Sequence, residues 1–255
     1  MIRRPSAVTS SSVDSPLRWC ASACCSPAQY AAPKRIGLAT RGTPRPTPRP
    51  SLPTTAVAEF AHLPTPLERA PRLARELGLD PDRFFVKRDD CTGVAAGGNK
   101  IRKLERLVAQ ARRLNLDTLV TGGGTQSNHA RSTAGVAARV GMRCVLVLAG
   151  PEPSPPTANV LLDRVFGAEI RWLDGPLEHH VAEAAVESTA AELNAASATG
   201  RCALPIPLGG SSGEGVAAYT HAAVEITGQL GGIPPDVVLT ASGTGGTQAG
   251  LSLGF

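Results

Sequence analysis

The sequence predicts an α/β protein built on a doubly wound, mostly parallel sheet. Three observations predict it. From Leu63 onward, short apolar runs alternate with segments whose apolar residues recur at helical spacing, the rhythm of a parallel sheet with helices on both faces. The run Cys144-Val145-Leu146-Val147-Leu148 is continuously apolar, as a strand covered on both faces requires. Glycine-rich turns recur where a strand gives way to a helix, the end of such sheets at which ligands sit.

Taken in order, Phe84-Phe85-Val86-Lys87-Arg88 reads as a strand closed by the polar turn Asp89 to Gly93. Asn99 is placed to cap a helix from Lys100 to about Leu114, whose Ile101, Leu104, Leu107, Val108 and Ala111 form a core-facing stripe. Lys103 falls off that stripe and is expected to snorkel at the surface. Thr118 to Thr121 is the next strand, followed by the turn Gly122 to Asn128 and a helix from about His129 to Val140 that stops at Gly141 in a left-handed cap. After the apolar strand and a loop from Pro151 to Pro156 come a helix from about Thr157 to Phe166 and the short strand Ile170 to Leu173. An Ala-rich helix follows between Leu177 and Ala198, with His179 and His180 solvated at its start. Ala203 to Ile206 is expected to be extended, and Pro205 and Pro207 mark it as an edge. Gly209 to Gly213 opens a helix around Val216 to Leu230, Asp236 to Thr240 is a strand, and a third glycine turn begins the last helix. That helix has only begun at Phe255, so the expected sheet is C-terminally truncated.

Charge distribution narrows the function. The chain carries a formal +5, but up to Ala58 eight Lys/Arg face one acid, a net of +7, and the remaining 18 bases face 20 acids, a net of −2. With no basic stripe and few aromatics to stack on bases, the body is not expected to bind nucleic acid. Six scattered cysteines form no disulfide framework and suit reduced thiols in a cytoplasmic compartment. Cys20-x3-Cys24-Cys25 lacks a second half and the five His show no H-E-x-x-H spacing, so no metal site is expected. No apolar run approaches about twenty residues, so no membrane span is expected. Residues 1–58, rich in Ser, Pro and Arg, read either as an organellar transit segment or as an over-extended start.

Three turns carry chemistry. Lys100, one of four lysines, follows Gly97-Gly98-Asn99 at a helix start, where the positive end of the helix dipole favours the neutral amine that attacks carbonyls. Ser242-Gly243-Thr244-Gly245-Gly246-Thr247 can converge backbone N–H groups and hydroxyls on a phosphate, although tight turn packing explains the same residues. It is neither a Walker A loop nor a dinucleotide fingerprint, since no Gly-Lys-Ser/Thr follows and Gln248 stands where a third glycine is needed. In Gln126-Ser127-Asn128-His129, Ser127 could act as nucleophile or proton carrier and Asn128 as a donor to a cofactor oxygen, and either could simply cap the helix. His129 reads as an acid–base group or as a surface residue. Lys87, beside Arg88, Asp89 and Asp90, reads as paired. A nucleophilic lysine, a Ser-Asn turn and a phosphate cradle together point to pyridoxal 5'-phosphate (PLP).

Five blocks in order extend that reading: Val86-Lys87-Arg88-Asp89-Asp90, Gly97 to Glu105, Gln126 to His129, Pro207-Leu208-Gly209-Gly210-Ser211, and Ser242 to Thr247. From His62 to Phe255 the chain resembles the D-cysteine desulfhydrase and 1-aminocyclopropane-1-carboxylate (ACC) deaminase family, fold-type II PLP enzymes related to the tryptophan synthase β-subunit. The resemblance implies that Lys100 carries PLP covalently and later shuttles the substrate proton, that Asn128 bonds the ring hydroxyl oxygen, and that Ser242, Gly243, Thr244, Gly245, Gly246 and Thr247 hold the phosphate. It implies catalysis by Lys100 and Ser127 and a substrate site bordered by Gln126, Ser127 and His129. It further implies two lobes, a small one at 103–210 inserted into a larger one formed by 59–102 and 211–255, and a homodimer. Gln-Ser-Asn-His, rather than a Gln after the Asn, leans toward β-elimination from D-cysteine, giving pyruvate, sulfide and ammonia. ACC deamination and an inactive truncated form are the alternatives.

Overall fold

The computed structural model describes residues 57–200 and 202–255, so the leader read at 1–58 falls almost wholly outside the described residues. The elements are β1 (Leu67–Arg69), α1 (Pro71–Glu76), β2 (Phe85–Lys87), α2 (Lys100–Arg113), β3 (Thr118–Gly124), α3 (Asn128–Val140), β4 (Arg143–Ala149), α4 (Ala158–Val165), β5 (Glu169–Leu173), α5 (His179–Ala196), β6 (Ala203–Pro205), α6 (Gly213–Gln229) and α7 (Gly246–Gly254). Short 3-10 turns occupy Asp89–Thr92 and Leu208–Gly210.

Four strands form a parallel sheet in the order β5-β4-β3-β6, and β1 pairs with β2 as an antiparallel ribbon. Side chains alternate across the sheet, which explains the unbroken apolar runs. Leu119, Leu146, Leu148 and Leu204 face one way and pack with Ile101, Leu104 and Leu107 of α2 and Ala130 and Ala134 of α3. Val120, Val145, Val147 and Ala203 face the other way, against Val186 and Ala190 of α5. Each fully buried Leu or Val is worth about 2 kcal/mol relative to exposure, so both faces contribute to holding the sheet. The edge position expected for Ala203–Ile206 is where β6 lies.

A separate cluster joins Tyr219, Ala222, Ala223 and Ile226 of α6 to Leu251 of α7. Gly250 and Gly254 let the two helices touch: a Cβ on Gly250 would collide with Tyr219 Cβ and Val216 O, and one on Gly254 with Ala223 Cβ and Thr220 O.

Several expectations change. Gly122, Gly123 and Gly124 are not a turn but the end of β3, in register with Val147, Leu148 and Ala149, because parallel pairing continues past the last branched residue. Residues 236–240 form no ladder, and Val237 and Leu239 are exposed, because β-propensity makes a strand only where another strand lies alongside. β1 and α1 are additions to the expected elements, although Pro71 at the first position of α1 is a helix-start signal. His179 and His180 are exposed at the start of α5, as expected. No helix among the described residues is long and apolar enough to cross a membrane.

Candidate active site

The site is built around the first turn of α2. Asn99 occupies the N-cap position, but its side chain makes no capping bond. Its Nδ2 donates instead to Thr247 Oγ1 at 3.0 Å, tying the start of α2 to the start of α7. Behind this turn lies a partly buried ionic cluster centred on the buried Arg102. Arg102 bonds Asp89 Oδ1 through Nε (3.0 Å), Glu225 Oε2 through Nη1 (2.9 Å) and Thr65 Oγ1 through Nη2 (2.9 Å). Lys87 is paired as expected, though with Glu225 and Gln229 rather than its sequence neighbours. The Tyr219 hydroxyl donates to Asp89 Oδ2 (2.6 Å) and lies 3.1 Å from the Asn99 carbonyl oxygen. Charge pairs in this setting hold position strongly, because removing one partner strands the other out of water.

Lys100 is half-buried in this first turn, and burial lowers its pKa. That moves the amine toward its neutral, nucleophilic form. One turn further on, Lys103 overturns its expected surface placement. It is 1% exposed, because α6 and the 208–210 turn cover the face of α2 that faces away from the sheet. Lys103 Nζ donates to Gly209 O at 3.1 Å. Burial, and beyond it the charge of Lys100, lower Lys103 to about 8.

Lys103 reaches the third glycine turn. A Cβ on Gly246 would stand 2.6 Å from Ser211 Oγ and 2.9 Å from Lys103 Nζ, so the absent side chain leaves a cradle floored by an ammonium and a hydroxyl. Ser211 Oγ and Thr244 Oγ1 bond each other at 2.6 Å, and Gly245 enters α7 with φ 80°. Ser242, Gly243 and Thr244 are exposed at the rim, while Gly246 and Thr247 are buried at the helix start. A helix N-terminus, hydroxyls and a lysine with two N–H donors unused among the described residues are the donor set of a phosphate monoester, and PLP's phosphate fits it. Lys103 is thus the residue that sequence reasoning missed. Its spacing of three from Lys100 was visible, but its burial depends on residues more than a hundred positions away.

The Gln126-to-His129 turn sits at the head of α3. Ser127 is the N-cap, its Oγ accepting from Ala130 N at 3.2 Å. Asn128 is exposed, and its Oδ1 accepts from Asn159 Nδ2 at 3.0 Å. The Gln126 amide is turned to α4, with Oε1 accepting from Asn159 N (2.8 Å) and Nε2 donating to Thr157 O (3.3 Å). His129 is not a surface group. It is 3% exposed, and its Nε2 lies 3.0 Å from Thr121 Oγ1, whose own proton goes to Ile206 O. Nε2 therefore carries the hydrogen, and Nδ1 is left without a partner among the described residues. Burial first, then the charges of Lys100 and Lys103, lower His129 to about 3, so the ring is neutral. Arg131 completes the link between turns, its Nη2 donating to Gly97 O at 3.3 Å.

A parallel sheet flanked by helices, a desolvated lysine at a helix head and, one turn further on, a glycine cradle with the donors a phosphate needs are the features of a pyridoxal-phosphate type of site. The family described as pyridoxal-phosphate dependent enzyme matches residues 58–255, and the chain belongs to it. The chain is 42% identical over 203 residues to the D-cysteine desulfhydrase of Salmonella typhimurium, a match covering 77% of this chain and 59% of that protein. Among solved structures it is similar to an ACC deaminase homologue, with TM-score 0.70 and 38% identity over 80% of this chain and 59% of the other. An L-serine ammonia-lyase from Rhizomucor miehei shares the fold, with TM-score 0.56 and 21% identity over 76% of this chain and 55% of the other. The chain thus spans 59% of the length of the desulfhydrase it matches.

Proposed function

We propose that the chain carries the lysine-bearing part of a PLP enzyme that eliminates the β-substituent and the amino group from a small amino acid, D-cysteine first. D-cysteine and water give pyruvate, hydrogen sulfide and ammonia. The observation that carries the reading is a desolvated Lys100 one helical turn from Lys103, whose Nζ floors the cradle at Gly246. The 42% identity to a D-cysteine desulfhydrase supports the substrate.

Bound there, PLP supplies an electron sink for the bonds broken at Cα and Cβ. Lys100 Nζ, held toward its neutral form, is the group on which the cofactor would be carried and the base for the Cα proton. Lys103 Nζ and the N–H groups of Gly245, Gly246 and Thr247 bind the phosphate, with the Ser242 and Thr244 hydroxyls and Gly243 at its rim. Asn128 Nδ2 donates to the ring hydroxyl oxygen. Gln126, Ser127 and His129 border the substrate, Ser127 as its catalytic hydroxyl and His129 as a neutral ring.

The reading includes a small lobe at 103–210, supported by the four-stranded sheet falling wholly within it, and a larger one from 59–102 and 211–255. It includes a homodimer, and a cytoplasmic location, for which the free thiols of Cys91, Cys144 and Cys202 speak. ACC deamination to 2-oxobutanoate and ammonia is the second reading, favoured by the similarity to an ACC deaminase homologue. The test is absorbance of the purified chain with PLP, borohydride trapping and peptide mapping, then turnover of D-cysteine and ACC. Label on Lys100 with sulfide from D-cysteine is expected. Label elsewhere refutes the lysine assignment, and 2-oxobutanoate from ACC without sulfide transfers the chain to the second reading.

A further inference from the structure

The first turn of α4 reaches the Gln126-to-His129 turn through the side chain of Asn159. Asn159 is half-buried at the second position of α4. Its Nδ2 donates to the Gln126 main-chain carbonyl at 2.8 Å and to Asn128 Oδ1 at 3.0 Å. A main-chain carbonyl only accepts, so the contact with Gln126 decides which end of the Asn159 amide is nitrogen. That nitrogen has two hydrogens. One goes to Gln126, and the other obliges Asn128 to present its oxygen. The Asn128 NH2 is then the end turned away from α4, with no partner among the described residues.

We propose that Asn159 is a positioning residue that sets the orientation of the Asn128 carboxamide, so that its NH2 faces the cofactor's ring oxygen. The proposal rests on the assignment of Asn128 to the cofactor made above. Without Asn159, the Asn128 amide can turn over and offer an oxygen to an oxygen, losing the contact and adding repulsion. The seat of α4 does not depend on this side chain. Its first turn is capped from Gln126, whose Oε1 receives the Asn159 main-chain N–H, whereas Thr157 makes no side-chain cap. The Asn159 side chain can therefore be removed while the main-chain bond remains.

The experiment is a double-mutant cycle on PLP binding by the full chain, read by absorbance titration. Asn159→Ala and Asn128→Ala are each expected to raise the PLP Kd about fivefold, the scale of one partly exposed hydrogen bond, and to move the absorbance maximum of bound PLP. The double variant is expected to bind no more weakly than Asn128→Ala alone, because Asn159 acts through Asn128. An Asn159→Ala Kd within twofold of wild type overturns the proposal, as do penalties that multiply in the double variant. If Asn128→Ala leaves the Kd unchanged, the cofactor role of Asn128 falls, and this proposal with it. Asn159→Asp, which keeps the size but turns a donor into an acceptor, runs the same cycle if the alanine variant does not fold.

Discussion

Lys103→Met separates the stability of this chain from its proposed chemistry. Lys103 is 1% exposed, and its amine, ordinarily near 10.5, is brought down to about 8. Below pH 8 the amine is protonated in both folded and unfolded chains, and the folded chain bears the full penalty of enclosing the charge. A shift of that size corresponds to about 3 kcal/mol. Met retains most of the buried stem without the charge and gives up the bond to Gly209, so a net gain of about 1–3 kcal/mol is expected at pH 7. At about 2–4 °C per kcal/mol for a domain of this size, the melting temperature should rise by several degrees. Between pH 8 and 10.5 the folded amine is neutral while the unfolded one still binds a proton. Wild-type stability therefore climbs relative to the variant, and the difference closes as pH rises. PLP binding by the variant should weaken about 100-fold, the worth of a charge-assisted phosphate contact in a shielded site. Denaturant unfolding at pH 7 and 9.5 with a PLP titration provides the measurement. A variant less stable than wild type at pH 7, or a difference that does not change with pH, refutes the argument that a buried charge is held in reserve for an anion.

Other expectations follow from the same geometry. Asp163 is fully buried with neither carboxylate oxygen hydrogen-bonded among the described residues, and burial, partly offset by Arg131, raises it to about 7. The folded chain therefore binds the extra proton between about pH 4 and 7, and wild-type stability should fall across that interval relative to Asp163→Asn; parallel pH profiles for the two in urea count against the burial argument. Glu225→Gln removes the charge that faces Arg102 and Lys87 and should lower stability by about 3 kcal/mol, measured by thermal unfolding, with a loss under 1 kcal/mol counting against the cluster. Ala158 opens α4 with φ 47°, a conformation that disfavours a Cβ, so Ala158→Gly should raise the melting temperature by the equivalent of up to about 1 kcal/mol, and a lower one refutes the strain.

What the sequence made legible is the part of the fold whose signal is local. The stripe Ile101, Leu104, Leu107, Val108 and Ala111 is buried throughout, and Gly141 caps α3 in the left-handed conformation, because periodicity and φ preference are properties of neighbouring residues. The other face of α2 was illegible for the opposite reason. Arg102, Lys103, Glu105 and Arg106 look like a solvated face but are all buried. Glu105 Oε1 accepts from the main-chain N–H groups of Phe60 and Ala61, and Arg106 meets His221, so their partners arrive from far along the chain. Glycine-rich segments at 97–98 and 242–246 announced the candidate site by composition, while the floor of the Gly246 cradle depends on helix packing that no spacing encodes. The missing ladder at 236–240 shows the same limit, since a strand is defined by its neighbour.

The way α2 is buried also dictates the order in which the molecule can assemble. Every strand of the parallel sheet lies between Thr118 and Pro205, so that layer needs only a contiguous stretch of chain. The ionic faces of α2 are different: Lys103 waits for Gly209, Arg106 for His221, Arg102 for Glu225, and Asn99 for Thr247. On an emerging chain these side chains must stay hydrated until about a hundred further residues have appeared, because enclosing them earlier would leave charges without partners. The polar side of the helix bearing Lys100 is therefore among the first surfaces to be synthesised and among the last to be enclosed. A helix turn enclosed this late keeps the Lys100 amine in water, and thus protonated, until the start of α7 is in place.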